Sequence, residues 1–160
     1  MKTNGGGRDA LASLVLLDQP GHLMRRAQQR AVELFQRAVG RNGLTPRQFA
    51  VMLTIGQLPG LKQTELVDLT GIDRSTLAEM IERLARQGLV NRRRTRADQR
   101  ANAVELTEAG RQAVHEAIPA VRRAQTQILA PLPQPQRAAF LASLAMLADL
   151  PRGGRRAARR

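Results

Sequence analysis

The fold is decided between residues 71 and 107, which read GIDRSTLAEMIERLARQGLVNRRRTRADQRANAVELT. Helical apolar spacing in the first half and strand-like alternation near the end predict a helix, then a hairpin, then a second helix start. Seven arginines fall between Arg83 and Arg100, around a turn-like Ala97-Asp98-Gln99. A helix followed by an arginine-tipped β-ribbon suits duplex DNA, because the helix fits the major groove and the tip reaches the minor groove.

Helix signals continue on both sides of this stretch. Three residues are expected to cap exposed backbone N–H groups at helix starts, namely Thr45, Asp73 and Thr107. Thr45 is followed by Pro46 and by Gln48, as in a capping box. A short helix is predicted from about Gln63 to Leu69, with Leu66 and Leu69 facing inward. A half-exposed strand is predicted where Asn102, Val104 and Leu106 alternate with Ala103 and Glu105.

The resulting order is a three-helix core with a β-wing, flanked at both ends by further helices. The outer helices carry apolar stripes that a small core cannot cover. Pairing with the same helices of a second copy would bury these stripes, and we therefore expect a twofold homodimer. The fold class is mainly α with a small β-wing.

The charge balance favours a polyanionic partner. The chain has 26 Lys and Arg against 13 Asp and Glu, a net charge of +13. Nucleic acid is expected ahead of an anionic membrane surface, although a GC-rich genome's codon usage also enriches arginine. Three Phe are the only aromatic residues, and this scarcity favours duplex DNA over single strands, which are usually stacked on aromatic platforms.

Several classes of function are excluded or disfavoured. Without cysteine there is no disulfide and no thiolate nucleophile. His22 and His115 lack metal-ligand spacing, and no Ser-His-acid arrangement can be placed. We therefore expect no enzymatic activity, no metal and no cofactor. No apolar run approaches the ~20 residues of a membrane span, and a cytoplasmic location is expected.

The stretch from Gly71 to Thr76, then Asp98-x-Arg100 and Glu105-Leu106-Thr107 resemble the MarR family of winged-helix transcription regulators. The match covers roughly residues 20 to 150. One departure is Lys62, where the family often places a Ser or Thr cap before the Gln-x-Glu-Leu that appears here at residues 63–66.

The resemblance implies a winged helix-turn-helix flanked by dimerisation helices. Its expected division is a flexible arm (1–19), an N-terminal dimerisation helix and loop (20–44), the DNA-binding domain (45–107), C-terminal dimerisation helices (108–151) and a disordered basic tail (152–160). Recognition helices would enter successive major grooves of a pseudo-palindrome, and wings the flanking minor grooves. Many members release DNA when a small anionic or aromatic molecule binds. LDQPGHLMRRAQQRAVELF (17–35) resembles, more loosely, regulators of aromatic-acid catabolism, some of which respond to aromatic acyl-CoA thioesters.

The candidate DNA contacts lie in the predicted recognition helix, the wing and the preceding helix start. Arg74 is best suited to guanine, and Arg100 to minor-groove insertion with Asp98 holding its guanidinium. The non-functional alternatives are a solvated helix start for Arg74 and an exposed hairpin ion pair for Asp98 and Arg100. The full set is Lys62, Gln63, Arg74, Ser75, Thr76, Glu79, Arg92, Arg93, Arg94, Arg96, Asp98 and Arg100.

A candidate effector site combines cationic and apolar residues. His22, Arg25 and Arg26 form a cationic cluster suited to a carboxylate or phosphate, although surface charge and a helix-capping His are the simpler explanation for any one of them taken alone. The apolar candidates are Phe35, Phe49, Met52 and Ile55, whose spacing also fits ordinary core. Two functions stay open: a repressor released from its operator by a ligand, or an architectural protein that coats DNA without sequence choice.

Overall fold

A computed structural model describes residues 13–40, 43–95 and 98–150, and for residues 93–95 and 98–102 it describes the backbone alone. The helices are α1 (Pro20–Val39), α2 (Pro46–Gln57), α3 (Gln63–Thr70), α4 (Arg74–Arg86), α5 (Glu108–Leu129) and α6 (Gln134–Leu147); the strands are β1 (Val90–Thr95) and β2 (Asp98–Leu106). A 3₁₀ turn at Leu16–Asp18 precedes α1. The predicted order of elements is confirmed.

The predicted helix caps are also confirmed. Thr45 Oγ1 accepts a hydrogen bond from the Gln48 backbone N–H at 3.2 Å, and Gln48 Oε1 accepts one from the Thr45 backbone N–H at 2.9 Å. At α3 the Lys62 side chain has no acceptor to offer, but Glu65 Oε2 accepts a hydrogen bond from the Lys62 backbone N–H at 2.7 Å. This second half of the capping box marks the helix start despite the lysine.

The wing consists of β1, β2 and the two residues between them. Its strands pair antiparallel from Val90 opposite Leu106 to Thr95 opposite Asp98, with a register shift between Arg94 and Thr95. A third segment joins on the other side of β2, where Lys62 bridges Ala103 and the Val104 N–H donates to the Leu61 C=O at 3.3 Å.

The predicted half-exposed alternation in this strand is wrong near its end. Ala103 and Val104 are both buried, because β2 lies between β1 and the Leu61–Lys62 segment and both of its edges are covered there.

The core lies between α1, α2, α3, α4, the wing and α5. Its largest fully buried side chains are Met52, Ile55, Leu66, Leu77, Ile81, Leu84, Val51, Val90 and Val104. Leu69 was predicted to face inward, and this is wrong: it is 44% exposed, while Val67 packs against the core instead. Gly71, at φ 65°, ends α3 in a left-handed conformation that glycine adopts at low cost.

Helices α1 and α5 pack along one another, and α6 buries none of its residues within the described part of the chain. In that part no helix is long and apolar enough to cross a membrane.

Candidate nucleic-acid interface

Helix α4 turns one side into the core and leaves the other exposed. Leu77, Ile81 and Leu84 are buried. The exposed residues are polar and charged, namely Arg74, Ser75, Glu79, Glu82, Arg83 and Arg86. A helix divided in this way can lay its exposed side in a major groove while the core fixes its orientation.

The first turn of α4 is organised by one carboxylate oxygen. Asp73 Oδ1 accepts a hydrogen bond from the Thr76 backbone N–H at 2.9 Å and another from the Ser75 hydroxyl at 2.7 Å. The Thr76 backbone bond, followed by the Ser75 bond, lowers the pKa of Asp73 from 3.8 to about 2. The start of the candidate recognition helix is therefore fixed by an ionised cap.

We expect this cap to be lost in acid. Because the folded state holds the Asp73 pKa at about 2, below its usual 3.8, its stabilisation is fully present above pH ~4 and disappears as the pH falls towards about 2. Asp73→Ala should lower the thermal unfolding midpoint at neutral pH and approach the wild type near pH ~2. Asp73→Asn, which keeps an uncharged acceptor, is the control. An Asp73→Ala deficit that is equal at pH ~7 and pH ~2 would contradict this explanation.

Glu82 of α4 and Arg92 of β1 form an ion pair that the sequence patterns did not indicate. Arg92 Nη2 lies 3.7 Å from Glu82 Oε1, and the two side chains are 36% and 63% exposed. Such an exposed pair contributes at most about 1 kcal/mol, so its main consequence is to hold the Arg92 guanidinium beside α4. The pairing depends on how β1 leaves α4, and no local sequence signal reports that geometry.

For the other predicted wing contacts, the structure describes the backbone alone or does not describe the residue. Arg93 and Arg94 lie in β1, and Asp98 and Arg100 in β2. The predicted Asp98–Arg100 contact is between side chains outside those described, and Arg96 lies outside the described residues. Two further candidates stand at the start of α3: Lys62 is exposed and Gln63 is half-buried.

A compact junction joins the end of α4, the end of the wing and the start of α5. Thr107 Oγ1 donates to the Gly88 C=O at 2.6 Å and accepts from the Gly110 N–H at 3.0 Å. The Thr107 backbone N–H donates to the Leu89 C=O at 3.1 Å. A Cβ on Gly110 would lie 2.0 Å from the Leu89 carbonyl oxygen. The cap role of Thr107 was predicted, but its contact to Gly88 and the need for glycine at 110 were not.

The candidate effector residues do not form one cluster within a single chain. His22 is half-buried and Arg25 and Arg26 are exposed. Phe35 lies 9 residues beyond Arg26 on the same helix, about 13 Å along the axis at 1.5 Å per residue. The apolar candidates lie in the core, where the rings of Phe35 and Phe49 are tilted at 59° with centroids 6.0 Å apart.

Several cavities adjoin the elements that carry these candidates. One, of about 380 Å³, opens between α1, the end of α4 and α5, and its lining includes Val39, Leu44, Gln87, Leu89 and Glu116. None of the candidate effector residues lines it. Another, of about 300 Å³, is lined by Ile55 together with Pro59, Leu106 and Arg111.

Across the described ranges, no three acidic or histidine side chains gather as metal ligands would.

Residues 44–101 match the model of the MarR family. The HTH-type transcriptional repressor NicR of Pseudomonas putida is 32% identical over 132 residues, which cover 82% of this chain and 84% of NicR. A structure of Bordetella bronchiseptica BpsR, whose DNA binding is regulated by 6-hydroxynicotinic acid, is 31% identical with a TM-score of 0.82, covering 86% of this chain and 99% of that chain.

The transcriptional repressor CouR is a third similar protein. Its structure on a 23-mer DNA duplex is 34% identical with a TM-score of 0.77, and its structure with p-coumaroyl-CoA is 33% identical with a TM-score of 0.76; each covers 83% of this chain and 94% of CouR. These homologues are transcriptional regulators rather than enzymes. From the shared winged-helix fold and the extent of these matches, the chain belongs to the MarR family of transcription regulators.

Proposed function

We propose that the protein is a homodimeric repressor that acts in the cytoplasm, binds a pseudo-palindromic DNA operator and leaves it when a small aromatic or acyl-CoA-type effector binds. The observation that carries this proposal is the exposed polar side of α4, capped at its start by Asp73 and flanked by the arginine-rich strand β1. NicR and CouR are named as repressors, and one CouR structure is bound to a 23-mer DNA duplex.

The homodimer is supported by the apolar surface at the two ends of the chain. Large apolar side chains are exposed around the N-terminal turn and on or beside α6, namely Leu14, Val15, Leu16, Leu17, Leu23, Met24, Phe140, Leu141, Leu144, Met146, Leu147 and Leu150. Large exposed apolar patches on soluble proteins mark interaction sites. A second copy presents the same surfaces, so a twofold pairing of these helices would bury both sets.

The proposed DNA contacts fall into two groups. Arg74, Ser75, Thr76 and Glu79 on α4 would face base edges in the major groove. The wing arginines and Lys62 would meet phosphates, and Arg100 would enter the minor groove, with Asp98 beside it. Gln63, at the start of α3, would lie close to the DNA backbone.

Arg100→Ala should weaken binding to operator DNA by about tenfold and binding to random duplex much less, because a narrow minor groove attracts arginine in a sequence-dependent way. Fluorescence anisotropy with the two duplexes measures this difference. Arg123→Ala, on α5, is the matched control and should change neither affinity: Arg123 stands 15 residues beyond Glu108, about 22 Å along that helix. Equal losses on both duplexes for Arg100→Ala would argue against minor-groove shape readout.

For the effector, we propose that His22, Arg25 and Arg26 hold its anionic end. Three potentially cationic side chains within one and a half turns of α1 suit a carboxylate or phosphate. The apolar part would have to enter between the helices that Phe35, Phe49, Met52 and Ile55 occupy. BpsR and CouR have ligands of this kind, 6-hydroxynicotinic acid and p-coumaroyl-CoA.

A thermal-shift screen of aromatic acids and their CoA thioesters tests the effector proposal. A true effector should raise the unfolding midpoint and, at the same concentration, release operator DNA in a gel-shift assay. Arg25→Ala combined with Arg26→Ala should lose the shift while keeping DNA binding. A ligand that stabilises the protein but leaves DNA binding intact would contradict release by an effector.

A further inference from the structure

Ser75 differs from its neighbours on the exposed side of α4 because its hydroxyl is already engaged. Its Oγ lies 2.7 Å from Asp73 Oδ1, the same oxygen that accepts the Thr76 backbone N–H at 2.9 Å. Arg74, one residue earlier, is also exposed and carries only donors. The first turn of α4 therefore presents two adjacent side chains with different hydrogen-bonding capacity.

The direction of the Ser75–Asp73 hydrogen bond follows from the charge of the carboxylate. Asp73 is ionised at neutral pH, since its pKa is about 2, and an ionised carboxylate can only accept. Ser75 must then be the donor, and its single hydroxyl proton points to Asp73. Hydrogen bonds to an ionised partner are roughly twice as strong as neutral ones, so the hydroxyl is held with its lone pairs available to a ligand.

This arrangement limits what Ser75 can recognise in DNA. Phosphate oxygens, guanine N7 and O6, and thymine O4 are all acceptors, whereas cytosine N4 and adenine N6 carry donors in the major groove. We propose that Ser75, held by Asp73, reads an exocyclic amino group of cytosine or adenine in each half-site and selects against guanine and thymine there. This inference rests on the proposed sequence-specific DNA binding.

The test is selection from a random duplex library, followed by removal of single amino groups from the selected site. Wild-type protein should enrich cytosine or adenine at one position of each half-site, and Ser75→Ala should show no base preference at that position. At that position, adenine is replaced by unsubstituted purine, or cytosine by pyrimidin-2-one, so that only the exocyclic amino group is lost. This change should weaken wild-type binding about fivefold and Ser75→Ala binding less than twofold. Asp73→Ala, which frees the hydroxyl to donate, should tolerate guanine or thymine there, and Asp73→Asn should not.

Two results would overturn the role assigned to Ser75 while leaving the proposed function intact. One is equal sensitivity of wild type and Ser75→Ala to loss of each amino group; the other is a uniform loss of affinity for all duplexes in Ser75→Ala, as expected for a phosphate contact. Far-UV circular dichroism confirms that each variant is folded. If wild-type protein enriches no sequence at all, the proposed function fails together with this inference. If wild-type protein enriches a motif that Ser75→Ala leaves unchanged, only the inference about Ser75 fails.

Discussion

Gly110→Ala is expected to destabilise the fold by about 3 kcal/mol and to lower the unfolding midpoint by roughly 6–12 °C. A Cβ at this position would lie 2.0 Å from the carbonyl oxygen of Leu89. That neighbour is backbone, so the clash cannot be relieved by a rotamer change. Relief requires α5 to move away from the residues that end α4, which would break the Thr107 bonds to Gly88 and Leu89.

Helix propensity acts in the opposite direction and lets the two effects be separated. Alanine is favoured over glycine by up to about 1 kcal/mol within helices. Gly21→Ala is the matched control, because Gly21 is helical and its Cβ would meet nothing within 4 Å. Urea unfolding should therefore show Gly21→Ala near or above the wild type and Gly110→Ala far below it. Equal stability of the two variants would show that the junction adapts and does not fix α4 to α5.

The affinity for operator DNA should fall by about 10³–10⁵ between roughly 50 and 200 mM salt. This is the loss expected when ~6–10 phosphates are contacted and their counterions are released. A net charge of +13, with arginines concentrated around β1, supports contacts in this number. Fluorescence anisotropy across a series of salt concentrations measures the slope of log affinity against log salt.

Single variants identify which arginines contribute to this slope. Arg92→Ala should reduce it by about 0.9, the value for one phosphate contact in B-form DNA, and should leave Glu82 without its ion-pair partner. Arg123→Ala, at the far part of α5, should keep the wild-type slope. A slope below about 2 for the wild type would contradict binding dominated by phosphates, and an unchanged slope in Arg92→Ala would remove that residue from the interface.

Local signals predicted the elements well because each acts over a few residues. Thr45, Asp73 and Thr107 cap helices through backbone N–H groups within one turn of their own positions. Burial was harder to predict when it depended on distant segments. In the short helix α3, Val67 packs against the core and Leu69 is exposed, and Ala103 is covered through the Leu61–Lys62 segment some forty residues earlier.

The candidate site was also predictable where it depends on local sequence patterns, and not where it depends on contacts between distant elements. The exposed side of α4 follows from its 3.6-residue period, with Leu77, Ile81 and Leu84 on the buried side. Periodicity does not separate a ligand-binding stripe from ordinary core, and Phe35 and Phe49 are buried against each other. The Glu82–Arg92 pair and the fit of Gly110 against Leu89 join elements whose relative placement only the fold determines.

The central claim is that two copies of this chain read one inverted repeat. Selection from a random duplex library, followed by DNase footprinting and mass measurement of the complex on the selected duplex, tests it most directly. We predict a single inverted repeat with half-sites about 10 base pairs apart, one bounded footprint and two chains per duplex. Uniform, strongly salt-sensitive protection without an enriched sequence would contradict the claim and favour an architectural protein that coats DNA.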